Sequence, residues 1–244
     1  MMVFLFVGNL RNKISILLYK ELFMSKAQLF SIIICLLIRG LCCSAQTSNI
    51  AIPKFNDKYS QTVAKLESGN TDIDYREFRF SFLESKQYDY AQESFKLFDS
   101  LKKELFNQVE KRNSSKVVSI SETLLSIDYT YLWAQKYLYQ TYRIIGDSVN
   151  MKKYKRIELG LLTSICEGGN GHSCEACWEA SQVYEEYFIL DMLNAKRIKQ
   201  TIAQCTGHIC DNLEVKAEDG TIKNYFFEIT KMLTNTQKKL DQKK

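Results

Sequence analysis

Proline is almost missing from this 244-residue chain: Pro53 is the one instance, and glycine supplies only ten positions. A many-stranded sandwich needs turn residues roughly every eight to twelve positions, so that architecture is excluded. A surplus of positive charge is lacking too. The formal net charge is +5, from 33 Lys and Arg against 28 Asp and Glu. Five of those basic groups (Arg11, Lys13, Lys20, Lys26 and Arg39) and one acid, Glu21, lie in the first 45 residues. That leaves 28 basic against 27 acidic groups beyond them. Nucleic-acid binding needs clustered surplus Lys and Arg, so the composition carries no such footprint. With 45% hydrophobic and 25% charged residues the chain is not disordered, and it can fill the core of one domain or two small ones. No reaction is legible in it.

A compartment is. The apolar run Leu29–Ile38 (LFSIIICLLI) has the length of a signal-peptide core and is too short to span a bilayer. Lys26 places a positive charge before it, and Cys43-Ser44-Ala45 puts small residues where a signal peptidase reads. The expectation is export to the periplasm or beyond, with residues 1–45 removed and Gln46 the first mature residue. Met24 would open a signal of ordinary length and is the expected start. An anchor at Leu29–Ile38 is the competing reading. A lipidated Cys42 or Cys43 lacks the small preceding residue, since Leu41 and Cys42 stand there. No integral membrane segment is expected after signal removal.

Beyond the signal, helical periodicity dominates. Phe55, Tyr59, Val63 and Leu66 share one face, and Gly69 closes the segment. Asp74 is the expected N-cap of a second helix, with Tyr75, Phe78 and Phe82 on its apolar face. A third carries Phe95, Phe98, Leu101, Leu105 and Val109 and stops near Asn113. Val117, Ile120 and Leu124 mark a fourth, and Ala134, Leu138, Tyr142 and Ile145 a fifth that ends at Gly146-Asp147. Tyr154, Ile157, Leu161 and Ile165 make a sixth, running into Gly168-Gly169. Short connections between the last three predict antiparallel hairpins, tetratricopeptide-like in their Gly-Asp turn, though at most two repeats fit. The aromatic stripes read as core.

After Gly171 the periodicity changes. Ala176–Val183 suits a short strand or a helix start, and Tyr184–Leu193 a helix. Leu213–Lys216 and Lys223–Ile229 (KNYFFEI) read as two strands around the turn Glu218-Asp219-Gly220. The expected class is α+β, predominantly helical, with hairpins packed on a small C-terminal antiparallel β-sheet. It forms one domain over residues 46–232: a helical part at 55–166, a mixed part at 172–232, and a frayed basic tail at 233–244.

Several of these segments occur together in a known order. Asn70–Tyr90 (NTDIDYREFRFSFLESKQYDY) is followed by Ile144-Ile145-Gly146-Asp147, the helix Tyr154–Ile165 and the turn Gly168–Ser173. Val183-Tyr184-Glu185-Glu186-Tyr187 and Tyr225-Phe226-Phe227-Glu228-Ile229 complete the series. The order, spanning roughly Phe55 to Met232, resembles a bacterial exported domain of unknown function (family 4919 of those domains). The resemblance implies export and a compact α+β domain with tetratricopeptide-like helices, and it implies no activity. The chain departs from the pattern at Cys174 and Cys177, where a small or polar residue is expected, which speaks against a family-wide role for these thiols.

Candidate chemistry is confined to one stretch. Cys35, Cys42 and Cys43 leave with the signal, while Cys166, Cys174, Cys177, Cys205 and Cys210 stay, with His172 and His208 among them. In an oxidising compartment disulfides are the default, and five is odd, so one thiol is free or pairs between chains. The disulfide candidates are Cys174, Cys177, Cys205 and Cys210. A bond between the loops His172–Cys177 and Cys205–Cys210 would close about thirty residues and add roughly 3–4 kcal/mol.

The Cys174–Cys177 pair also suits a thiol-disulfide oxidoreductase, although a helix and not a strand precedes it. Trp178 after the second Cys excludes a c-type haem site. Zinc on Cys174, Cys177 and two of His172, Cys205, His208 and Cys210 is the runner-up, written as the set Cys174, Cys177, Cys205, His208. Gly168–Gly171 lacks the Lys-Ser/Thr of a phosphate loop, His208 near Asp211 is too generic for a triad, and Glu185-Glu186 read as first-turn helix acids. No cofactor and no catalytic residue is expected. The functional expectation is a non-catalytic binding or scaffolding domain of the cell envelope, with a protein or peptide partner and no nucleic acid; the competing class is the thiol enzyme.

Overall fold

A computed structural model describes residues 50–241. The signal segment, its cleavage point and Met24 lie outside the described residues, as do the last three lysine-rich positions.

Seven helices come first: α1 (Lys58–Glu67), α2 (Tyr75–Glu84), α3 (Lys86–Glu93), α4 (Phe95–Glu110), α5 (Ser114–Ile127), α6 (Leu132–Ile145) and α7 (Ser148–Cys166). Their boundaries are written locally. Asp57, Asp74 and Asp147 each accept a hydrogen bond from the backbone N–H three residues on, which satisfies an otherwise orphaned donor. Gly146 ends α6 in the left-handed region at φ 84°, a conformation that costs a side-chain-bearing residue about 1–2 kcal/mol. Phe55 lies before α1 and is exposed, so the first helix begins at Lys58.

Consecutive helices pack along one another, and the stripes seen in the sequence supply the core. Tyr59 stacks on Phe78 at 5.4 Å, and Tyr142 on Tyr154 at 5.7 Å. Leu105, Leu124, Leu138, Ile157 and Leu161 are fully buried among them. Each buried Leu or Ile contributes roughly 1.5–3 kcal/mol of transfer free energy. No described helix is long and apolar enough to cross a membrane.

A short 3-10 turn, Cys174–Ala176, leads into β1 (Trp178–Glu179), α8 (Val183–Met192), β2 (Lys196–Cys205), β3 (His208–Lys216), β4 (Ile222–Glu228) and α9 (Thr230–Asp241). The sheet order is β1-β4-β3-β2. The fold is thus α+β and predominantly helical, with two corrections to the sheet. It is mixed, because β1 runs parallel to β4 through Trp178 opposite Phe227. It also contains β2, ten residues long and paired antiparallel with β3 at nine of them, where the sequence shows no alternation. The reason is exposure: β2 is an edge strand with solvent on both faces along most of its length, so no apolar face is required of it.

The tail differs as well. The helix α9 continues to Asp241, where fraying was expected from residue 233 onward. Asn235 donates to the carbonyl of Leu83 at 2.9 Å, and Lys239 pairs with Asp89 at 2.7 Å, tying α9 to α2 and α3.

Candidate functional site

The cysteine region is organised by a disulfide between Cys174 and Cys205, 31 positions apart, with Cα atoms 5.6 Å apart. Cys174 opens the 3-10 turn and Cys205 ends β2, so the bond joins the segment before β1 to the far edge of the sheet. The tight β2–β3 turn at Thr206-Gly207 returns the chain and brings His208 opposite Cys205.

His208 Nδ1 lies 3.2 Å from the carbonyl of Thr206; its Nε2 lies 2.9 Å from the carbonyl of Cys174 and 3.5 Å from Cys177 Sγ. Cys210 is buried two residues further along β3, and its thiol donates to Cys177. Cys166, at the end of α7, is the third free thiol among the described residues. His172 is not part of this cluster: it is exposed, and its ring packs on Tyr225 at 5.3 Å.

The glycine-rich turn supports the same corner. A Cβ at Gly169 would sit 2.2 Å from the carbonyl oxygen of Ala176, so only glycine allows this approach. Trp178 Nε1 donates to the carbonyl of Gly169 at 3.1 Å, and the ring stacks on Tyr225.

The thiols here are not activated. Burial pushes Cys177 up from the usual thiol range, against a hydrogen bond from Cys210 that pulls it down. Burial, then the hydrogen bond to Cys177, pushes Cys210 up to about 12. Reactive cysteines are shifted in the opposite direction, by cations or a helix N-terminus.

The two acids opening α8 are first-turn groups, as expected, and both are fully buried. Glu185 is fully buried and pairs with Arg79 of α2 at 2.7 Å. It also accepts from the backbone N–H and hydroxyl of Ser181, at 2.7 and 2.9 Å. Glu186 is buried against Asp211 of β3, and no N–H or other hydroxyl reaches either of its oxygens. Burial, then the negative charges of Asp211 and Glu185, pushes its carboxyl up to about 9.

A carboxyl raised on folding adds stability below its unfolded pKa, and that stability is lost as pH climbs toward the folded value. For Glu186 this loss runs from about 4.5 to about 9. Glu186→Gln, which keeps the shape and supplies a donor to Asp211, therefore raises stability on the order of 2 kcal/mol at pH 8 and leaves it unchanged near pH 4. Urea unfolding at the two pH values measures this; an equal gain at both would refute it.

A cleft of about 580 Å³ opens on the other side of α8, framed by α3, α4, α8 and α9. Its walls include Tyr88, Phe95, Phe98, Val183 and Leu233, and Phe95 is 62% exposed. At its floor sits the buried Asp128. One carboxylate oxygen accepts from the N–H and hydroxyl of Thr130, at 2.9 and 2.6 Å. The other accepts from Gln182 Nε2 and the Tyr184 hydroxyl, each at 3.0 Å. Burial pushes Asp128 up to about 6, and these four bonds hold it from rising further. With four donors already in place the carboxylate is satisfied, so the cleft offers mainly apolar contact, beside a polar rim that includes Gln92, Lys102 and Thr236.

Arg79, Asp128 and this cleft leave no mark in the sequence pattern. Asp128 and Gln182 lie 54 positions apart, so only a buried-acid pattern at the Leu124–Asp128 segment could have hinted at the floor. Neither a curated protein nor a solved structure matches the chain. The sequence pattern of one family, described as a domain of unknown function (DUF4919), matches residues 45–238, nearly all of the chain past its first segment, and the chain belongs to that family.

Proposed function

We propose that this is an exported, non-catalytic domain of the cell envelope that binds a protein partner by accepting a short apolar segment in the cleft between α3, α4, α8 and α9. The observation carrying this reading is the cleft itself. Exposed aromatic and aliphatic side chains line a concave surface over a satisfied polar floor, the ordinary composition of a binding site. A lone exposed Phe is unremarkable on a surface, but Phe95, Val183 and Leu233 converge on one opening. The volume suits two or three side chains of a partner.

The competing reading is a thiol-disulfide oxidoreductase at Cys174 and Cys177. Against it stand the pairing of Cys174 with Cys205 and the upward shift of the Cys177 thiol.

The test is capture from native envelope with residues 46–244 as bait, wild type beside the double variant Phe95→Asp, Val183→Asp. Both residues are exposed, so the variant keeps its thermal midpoint. The expected result is a partner held by the wild type and lost by the variant. Identical captures, or none above a blank, overturn the cleft. Insulin reduction that disappears in Cys177→Ser would move the assignment to the enzyme. The intact mass of the exported chain checks cleavage before Gln46.

A further inference from the structure

With Cys174 and Cys205 joined, three donor atoms outside the disulfide face one another at the same end of the sheet: Cys177 Sγ, His208 Nε2 and Cys210 Sγ. All three lie within 4.8 Å of one another. The set drawn from sequence, Cys174, Cys177, Cys205 and His208, has lost two thiols to the disulfide, and Cys210 stands in their place.

Two distances give this trio a specific meaning. Zinc–sulfur bonds of about 2.3 Å and zinc–nitrogen bonds of about 2.0–2.1 Å at a tetrahedral angle put the two ligand atoms about 3.5 Å apart. Cys177 Sγ and His208 Nε2 are 3.5 Å apart. The second distance is on the other side of the ring, where Nδ1 lies 3.2 Å from the carbonyl of Thr206. In the metal-bound form the ring donates Nδ1–H there, and Nε2, which without the metal faces the Cys174 carbonyl at 2.9 Å, turns its lone pair toward the two sulfurs. Metal-bound histidines are oriented by this kind of outer hydrogen bond.

The frame is also rigid. His208 and Cys210 are two positions apart on β3, so their side chains leave the same face of the strand. Cys177 is held beside them because Cys174, three residues earlier, is bonded to the end of β2. His208 and Cys210 are in turn paired with Cys205 and Ala203. Ordering of these ligands is therefore completed by the fold and not left to the ion.

We propose that Cys177, His208 and Cys210 form a zinc site, with the disulfide as its brace and the fourth position open to water. Two thiolates and a neutral imidazole cancel the charge of the ion, and binding releases the two thiol protons. His208 Nε2 exchanges its contact with the Cys174 carbonyl for the metal. A soft donor set selects zinc or copper, and zinc is the one that does not oxidise the neighbouring thiols. The site is independent of the cleft and of the binding reading built on it.

The rival use of the same sulfurs is a second disulfide, Cys177–Cys210, and one set of measurements separates them. The exported chain, purified without reductant or chelator, is assayed for zinc by elemental analysis. It is then stripped, reloaded with Zn²⁺ and titrated against a chromophoric chelator. The expected result is one tightly held zinc per chain. Affinity falls by about a hundredfold or more in Cys210→Ser and His208→Ala, and Cys166→Ser is unchanged. Co²⁺ in place of zinc gives the visible bands of a tetrahedral site and the near-ultraviolet thiolate band, both absent from Cys210→Ser. Retention of the Cys174–Cys205 bond in each variant shows that the frame has folded. Zinc below half an equivalent after reloading, equal affinity in the variants, or a Cys177–Cys210 bond in non-reducing peptide maps overturns the site.

Discussion

Replacement of Arg79 by Met lowers the free energy of unfolding by about 3–5 kcal/mol, the usual cost of stranding one half of a buried ion pair. Arg79 is fully buried, and each of its five N–H groups is used. Nε donates to the Ser164 hydroxyl at 2.9 Å; the terminal nitrogens donate to the carbonyls of Ser164 and Glu179 and to Glu185. One side chain of α2 therefore ties together α7, β1 and α8, joining the helical layer to the sheet. Removing it leaves the Glu185 carboxylate buried with only Ser181 to donate to it. Arg79→Lys rescues little, because an ammonium has three donors and no planar fork. The double variant Arg79→Met, Glu185→Met regains most of the loss, since two apolar groups leave no charge behind. Equilibrium urea unfolding of the single and double variants measures the effect; a loss under 1 kcal/mol in Arg79→Met would show that the pair adds nothing.

The second large effect comes from the disulfide. Converting both Cys174 and Cys205 to Ser destabilises the chain by roughly 3–4 kcal/mol in the chain-entropy account, for a bond 31 positions long. The unfolded chain gains the freedom that the bond withheld, and the folded chain loses the tether between the 3-10 turn and the sheet edge. Thermal unfolding with and without the substitutions provides the number. Thiol counting supplies an independent check: residues 46–244, unfolded without reductant, should show three reactive thiols, from Cys166, Cys177 and Cys210. A count of five would mean that Cys174 and Cys205 are not joined.

Local order was legible where the signal is local. Asp74 as an N-cap, Gly146 as the left-handed end of α6, and the stripes Leu105–Val109, Ala134–Tyr142 and Tyr154–Ile165 each depend on residues three or four apart. Caps and helical periodicity are written at that range. The elements left unread are those whose partners are remote. α3 (KQYDYAQE) is one polar stretch of two turns with a single fully covered residue, Gln87, so its pattern has nothing to repeat. The edge strand β2 carries Ile198 and Ile202 in solvent, and its alternation never develops. α9 looked like a basic tail because its anchors, Leu83 and Asp89, are about 150 positions away in the chain.

The site divides in the same way. Both histidines and the five cysteines past residue 45 are read directly along the chain, and with them a stretch rich in metal- and disulfide-forming groups. Which sulfurs meet was a tertiary matter, as was the use of Glu185 and Glu186, which the helix pattern alone marks as ordinary first-turn acids. Arg79 finds Glu185 across 106 positions, and His208 reaches Cys177 across 31. The sequence by itself determined family, fold class and the helices that carry a local cap or an apolar stripe, because those follow from propensity, caps and the period of burial within a few residues. The tertiary structure decided the pairing of thiols and charges and the opening of the cleft, because contacts between distant segments depend on how elements pack and leave no period in the chain.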